Sequence, residues 1–74
     1  MNHIIGIPKD DYSKYKAEKL MLALTVMAEK SDDGIMMDSS GNFYEFFLLS
    51  NTDKRVSESL KYFAIGFLQA YELA

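Results

Sequence analysis

The sequence predicts a small α+β domain whose elements follow the order β-α-β-β-α. Two long segments carry apolar residues at helical spacing, and a cluster of turn-forming residues lies between two short apolar runs, which is typical of a β-hairpin. With 74 residues the chain is long enough for one domain, which spans residues 1–74. A short antiparallel sheet with two long helices packed on one face is the simplest arrangement that buries these apolar surfaces.

The N-terminal part of the sequence predicts the first strand and the first helix. Residues 3–7, HIIGI, are mostly β-branched and are closed by Pro8, which indicates a short strand. Asp10 or Asp11 can then cap a helix over about 10–30, because a carboxylate there accepts backbone N–H groups and favours the positive end of the helix dipole. The apolar stripe of that helix consists of Leu20, Leu24, Met27 and Ala28.

A β-hairpin is predicted for the middle of the chain. Residues 38–42 form turns readily and separate a short apolar run from an aromatic run over 43–49. Asn42 followed by Glu45 also resembles a helix-capping arrangement, and a helix here would give an all-α, three-helix fold instead. The hairpin is favoured because the aromatic residues of the run are good strand formers: Phe43, Tyr44, Phe46 and Phe47.

The last helix is expected to begin after Thr52, whose hydroxyl can cap it, with Asp53 in the first turn. Its apolar stripe consists of Val56, Leu60, Phe63, Phe67 and Ala70 or Tyr71. Gly66 interrupts this helix at a cost of about 1 kcal/mol relative to alanine, which makes it a candidate close-packing point.

The aromatic segment NFYEFFLLS, residues 42–50, is apolar on both of its faces. In a strand, Phe43, Phe47 and Leu49 share one face with Glu45, and Tyr44, Phe46 and Leu48 share the other. Two helices can cover only one side of a three-stranded sheet, so one aromatic face should remain for a protein partner. We expect that face to consist of Met36, Tyr44, Phe46 and Leu48. In the alternative, curvature and long side chains enclose both faces within a monomeric core.

The sequence contains no recognisable catalytic or metal-binding pattern. Its single histidine, His3, has no partner that the sequence can identify, and the serines form no nucleophile motif. Asp32, Asp33 and Asp38 do not have the alternating spacing of a calcium loop, and there is no cysteine to bind a metal. We therefore expect no enzymatic activity, no cofactor, no metal and no small-molecule substrate.

A second candidate surface is the polar start of the first helix. Basic and aromatic residues alternate there, and they could form a charged docking face: Tyr12, Lys14, Tyr15, Lys16 and Lys19. Acidic neighbours dilute its positive charge, and the chain as a whole carries a net charge of −3. Nucleic-acid binding through this face is therefore only a third hypothesis, and an acidic protein surface would be a better partner.

These observations favour a non-enzymatic protein-interaction module, and a structural or regulatory homodimer is the alternative. In size, mild acidity and lack of catalytic groups the chain resembles in type the small accessory proteins of phages and mobile elements. That resemblance implies a protein that binds and inhibits or modulates a larger host protein. A cytoplasmic location is expected, since the sequence lacks cysteine and shows no secretory signal in residues 1–8. No membrane span is expected, because the longest uncharged helical run, 20–28, is too short to cross a bilayer.

Overall fold

A computed structural model describes residues 1–30, 33–49 and 53–73, with side chains in the last range described as far as Tyr71. The elements are β1 (Asn2–Pro8), α1 (Lys14–Glu29), β2 (Ile35–Asp38), β3 (Phe43–Leu48) and α2 (Lys54–Leu73). The predicted α+β class and the β-α-β-β-α order are confirmed. The all-α alternative is wrong, because the aromatic run forms a strand.

The three strands form one antiparallel sheet in the order β1-β3-β2. β3 is therefore the central strand, and the hairpin that joins β2 to β3 places them side by side. Glu45 in the middle of β3 lies opposite Gly6 on one side and opposite Asp38 on the other. Since directly opposite residues point to the same side of a sheet, this register determines which side chains share a face.

A β-bulge interrupts the pairing of β1. His3 lies opposite Phe47 and Ile5 lies opposite Phe46, so Ile4 is an extra residue between two regular pairs. The bulge allows both isoleucines to point toward the helices, where Ile4 is buried and Ile5 packs against the core. Strict alternation along β1 would place one of the two on the opposite side of the sheet.

The core lies between one face of the sheet and the two helices. The sheet contributes Ile4, Ile7, Ile35, Phe46 and Leu48, and the helices contribute Ala17, Leu20, Leu24, Ala28, Leu60, Ala64 and Leu68. Both helices thus cover the same face, as the sequence predicts. The small residues at the helix surface allow a close approach to the large side chains of β3.

The first helix begins later than the sequence predicts. Its N-cap is Ser13, whose Oγ accepts a hydrogen bond from the backbone N–H of Lys16 at 3.2 Å. The prediction that Asp10 or Asp11 caps the helix is wrong, because the chain first makes a turn in which the N–H of Asp11 donates to the carbonyl of Pro8 at 3.1 Å. A serine is as effective a cap as an aspartate, so sequence alone does not distinguish these positions.

The second helix is capped by a carboxylate. Asp53 Oδ1 accepts a hydrogen bond from the backbone N–H of Arg55 at 2.9 Å, and the Arg55 guanidinium contacts the same carboxylate at 3.1 Å. Hydrogen bonds from Arg55 lower the pKa of Asp53. Thr52, the cap that the sequence predicts, lies outside the described residues.

The outer surface of α2 contains Gly66, which is exposed. A Cβ placed on it would have no atom within 4 Å, so contacts within the chain do not require a glycine there. Neither helix, over its described residues, combines the length and the apolar character that a membrane span needs.

Candidate protein-binding face

The predicted alternation along β3 is present, but the helices cover the opposite face from the one expected. Phe46 and Leu48 have an exposed fraction of 0%, and Tyr44 is half-buried against the core. The prediction that these three side chains form an exposed binding surface is therefore wrong. The physical reason is Glu45, because helices on its face would have to bury a carboxylate in the middle of the sheet.

The other face of the sheet, here called the open face, is covered by neither α1 nor α2. It is formed by His3, Gly6 and Pro8 of β1, Phe43, Glu45 and Phe47 of β3, Leu49 beyond β3, and Met36 and Asp38 of β2. Of the four residues that the sequence predicts for protein binding, Met36 lies on this face, opposite Phe47. The open face is thus a surface about 20 Å long, given roughly 3.3 Å per strand residue.

The apolar side chains of the open face remain accessible to solvent. Phe43 is 46% exposed and Leu49 is 47% exposed. Phe47 and Met36 are half-buried, although neither belongs to the side chains that pack against the core. These four side chains are only partly covered, so the surface can bury further apolar area against another molecule.

A histidine and a carboxylate occupy the centre of the open face. His3 Nε2 lies 3.2 Å from Glu45 Oε2, and the His3 ring packs edge-on against Phe47 with 5.2 Å between ring centroids. The two side chains are 48% and 37% exposed. The sequence did not reveal this pair, because the bulge and the β1–β3 register bring together residues that are far apart in the chain.

Gly6 provides the space in which the Glu45 side chain lies. A Cβ on Gly6 would overlap Glu45 Oε1, so the carboxylate crosses directly over the backbone of β1. The absence of a side chain at this position therefore determines where the negative charge of Glu45 is placed. Any larger residue would displace the carboxylate from its present position next to His3.

A second carboxylate faces Glu45 from β2. Asp38 lies directly opposite Glu45, and like charges in opposite positions of a sheet repel each other. The backbone N–H of Ser40 donates to Asp38 Oδ1 at 2.9 Å. Hydrogen bonds from Ser40, together with the weaker field of Lys9, lower the pKa of Asp38, so this carboxylate is ionised at neutral pH.

Asp38 and Glu45 line a shallow concavity of about 460 Å³ at the hairpin end of the open face. Its other lining residues are Ser40, Gly41, Asn42 and Phe43. Within the described part of the chain, no three histidine, aspartate or glutamate side chains are grouped as a metal site would require. The concavity therefore combines negative charge, hydrogen-bond acceptors and an aromatic ring on an accessible surface.

The residues of the possible charged docking face do not form one surface. Tyr12 is half-buried against the core, whereas Lys14 is exposed. At 3.6 residues per turn, Lys14 lies about 160° around the helix from Lys16, so the two point to different sides. Sequence proximity suggested a common face, which the helical geometry does not provide.

The remaining two residues of that group interact with the end of α2. The Lys19 ammonium lies 5.2 Å from the centroid of the Tyr15 ring. Desolvation, with a hydrogen bond that the Tyr71 hydroxyl donates to Tyr15, raises the pKa of Tyr71. Tyr15 and Lys19 therefore join the start of α1 to the end of α2.

Comparison with known proteins gave no match to a family model, to a curated protein or to a solved structure. Function must therefore be inferred from the open face itself.

Proposed function

We propose that this chain is a non-enzymatic protein-interaction module whose open face docks onto a larger protein and inhibits or modulates it. The observation that supports this proposal is the partial exposure of Phe43, Phe47, Leu49 and Met36 on a sheet face that both helices leave uncovered. Such a module acts by occluding a surface of its partner, which requires a rigid apolar patch rather than reactive groups.

The free energy available from the open face is consistent with reversible binding. Fully burying one large apolar side chain contributes about 1.5–3 kcal/mol, and these four are already about half covered, so together they supply roughly 3–6 kcal/mol. A micromolar complex requires about 8 kcal/mol. The polar centre of the face must therefore also contribute to binding.

The edges of the sheet are less suited to association than its open face. β1 carries a bulge and ends at Pro8, which lacks a backbone N–H, and β2 contains only four residues. Bulges, prolines and short strands all disfavour the addition of a further strand. A partner is therefore expected to contact the face.

Site-specific photocrosslinking tests the proposal. A benzoylphenylalanine at Phe43, an exposed apolar position at the hairpin end of the open face, should form an adduct with a larger protein in host extract. The same group at Tyr62, an exposed aromatic residue on α2, is the matched control and should not form that adduct. Phe47→Lys should abolish the Phe43 adduct while circular dichroism shows an unchanged fold.

Two results would contradict the proposal. Equal adducts from Phe43 and Tyr62 would show that the open face is not preferred. An adduct with twice the mass of the chain and no other would support the structural or regulatory homodimer, and sedimentation of the purified protein would verify it.

A further inference from the structure

The fixed charges of the open face are all negative. Asp38 and Glu45 face each other across two strands, and the described residues of the face include no lysine or arginine. The ammonium group of Lys9, whose field reaches Asp38, bonds to the carbonyl of Ser39 and lies 5.4 Å from the centroid of the Tyr44 ring. Among the described residues, His3 forms an ion pair with Glu45, whereas Asp38 feels only the weaker field of Lys9 and can accept an external cation.

The environment of these carboxylates is suited to a cationic side chain. Phe43 lines the same concavity, and a cation above its ring would gain about 0.5–1 kcal/mol at an exposed site. A guanidinium or ammonium group there could bond to the Asp38 carboxylate, lie in the field of the Glu45 carboxylate and contact the Phe43 side chain. Ser40 and Asn42, which also line the concavity, offer further acceptor oxygens.

We propose that the open face recognises a basic, apolar segment of a partner protein. An arginine or lysine side chain of that segment enters the concavity between Asp38, Glu45 and Phe43, and its apolar neighbours cover Phe47 and Leu49. This inference rests on the proposed function and specifies the chemistry of the partner. The net charge of −3 favours encounter with a basic surface.

A second copy of the chain fits the open face less well. Two open faces packed together would enclose four carboxylates, namely Asp38 and Glu45 from each copy, and the basic side chains among the described residues of the two faces are the two His3 imidazoles. Enclosing an uncompensated carboxylate costs several kcal/mol, which is comparable to the whole apolar gain estimated above. Nucleic acid is disfavoured by the same negative charge.

A substitution at Gly6 tests this proposal without changing the net charge of the chain. Its missing Cβ allows the Glu45 carboxylate to lie across β1, and Gly6→Ala would displace that carboxylate. The backbone of Gly6 does not have a positive φ, so alanine introduces no strain of that kind. A recognition site built on the position of Glu45 should therefore be weakened by this substitution, although every charged group is retained.

Titration of the full chain with two synthetic peptides, followed by amide NMR spectroscopy, tests the proposal. The peptides Ac-LRFLRL-NH2 and Ac-LEFLEL-NH2 share apolar residues and differ in charge. The arginine peptide should shift the amides of Asp38, Gly41, Phe43 and Glu45, and it should bind at least about tenfold more tightly than the glutamate peptide. Gly6→Ala should weaken its binding.

Charge-matched variants separate the local site from the overall charge. The double variant Asp38→Asn/Glu45→Gln should weaken binding of the arginine peptide by about tenfold or more. The variant Glu18→Gln/Glu29→Gln, with two exposed acids on α1, changes the net charge equally and should have little effect. Thermal unfolding of each variant checks that the fold is intact.

Any one of four results would overturn the basic-partner inference. The first three are equal binding of the two peptides, an equal effect of the two double variants, and a wild-type dimer that dissociates in the Phe47→Lys variant. In the first two cases the Phe43 photocrosslink to a larger protein could still form. The proposed protein-binding function would then remain, and only the basic character of the partner would be wrong. Shifts of the same amides by single-stranded DNA would likewise overturn it.

Discussion

The two faces of the sheet share one backbone but have opposite roles. β3 directs Phe46 and Leu48 into the core, where neither is exposed, and it directs Glu45 and Phe47 to the open face. The faces do not differ greatly in aromatic content. They differ in their carboxylates, since Glu45 at the centre of the sheet and Asp38 beside it both lie on the open face, and the helices cover the face that lacks them.

The adjacent methionines of β2 show the same division. Met37 lies opposite Phe46 and packs against the core, while Met36 lies opposite Phe47 and does not. Two adjacent methionines therefore differ in their surroundings: Met37 contributes to the stability of the core, and Met36 is available for contact with another molecule. A partner-binding role for Met36 stays a prediction.

The largest expected difference between the faces is in stability. Phe46→Ala should lower the free energy of unfolding by about 3–5 kcal/mol, because it leaves a cavity beneath both helices. Phe47→Ala should lower it by less than about 1 kcal/mol, because the ring packs on an exposed surface. Urea unfolding of the two variants measures this difference. Similar losses would show that the open face belongs to the core.

A smaller effect on stability is expected at the start of α1, one of the two helices that cover the core face. Ser13→Ala removes the side-chain acceptor of the Lys16 N–H and should lower the free energy of unfolding by about 1 kcal/mol. Ser13→Asp is the matched control and should retain the stability, since aspartate is an equally good cap. A loss in both variants would assign the effect to something other than the cap.

The smallest effect, and one of opposite sign, is expected on the outer side of α2, which belongs to neither face. Gly66→Ala should raise the free energy of unfolding by about 0.5–1 kcal/mol, because alanine favours the helix and a Cβ there meets no other atom. Thermal unfolding provides the measurement. A decrease would indicate that Gly66 has a packing role in an assembled form of the protein.

Much of the fold could be predicted because its signals are local. The helical stripe of α1, the β-branched run before Pro8 and the turn formers at 38–42 each indicate an element without reference to the rest of the chain. The exact helix start was less predictable, since Asp10, Asp11 and Ser13 are all suitable caps. Which of them is used depends on the turn that Pro8 begins.

The candidate site could be predicted only in part. Alternation correctly separated the side chains of β3 into two groups, but the choice between the groups was wrong. Glu45 was the available signal, and the cost of burying its carboxylate would have selected the opposite group. The His3–Glu45 pair and the space above Gly6 could not be predicted, because both depend on the register of β1 against β3.

The sequence by itself determined the number and order of the elements and which side chains of each strand point in the same direction. Only the tertiary structure decided which of the two faces of the sheet the helices cover. Side chains alternate between the faces with a period of two residues, and this alternation is the same whichever face is covered. The tertiary structure also decided the bulge at Ile4 and the pairing of Asp38 opposite Glu45. Contacts between strands depend on register, and register is a property of the whole sheet rather than of any one segment.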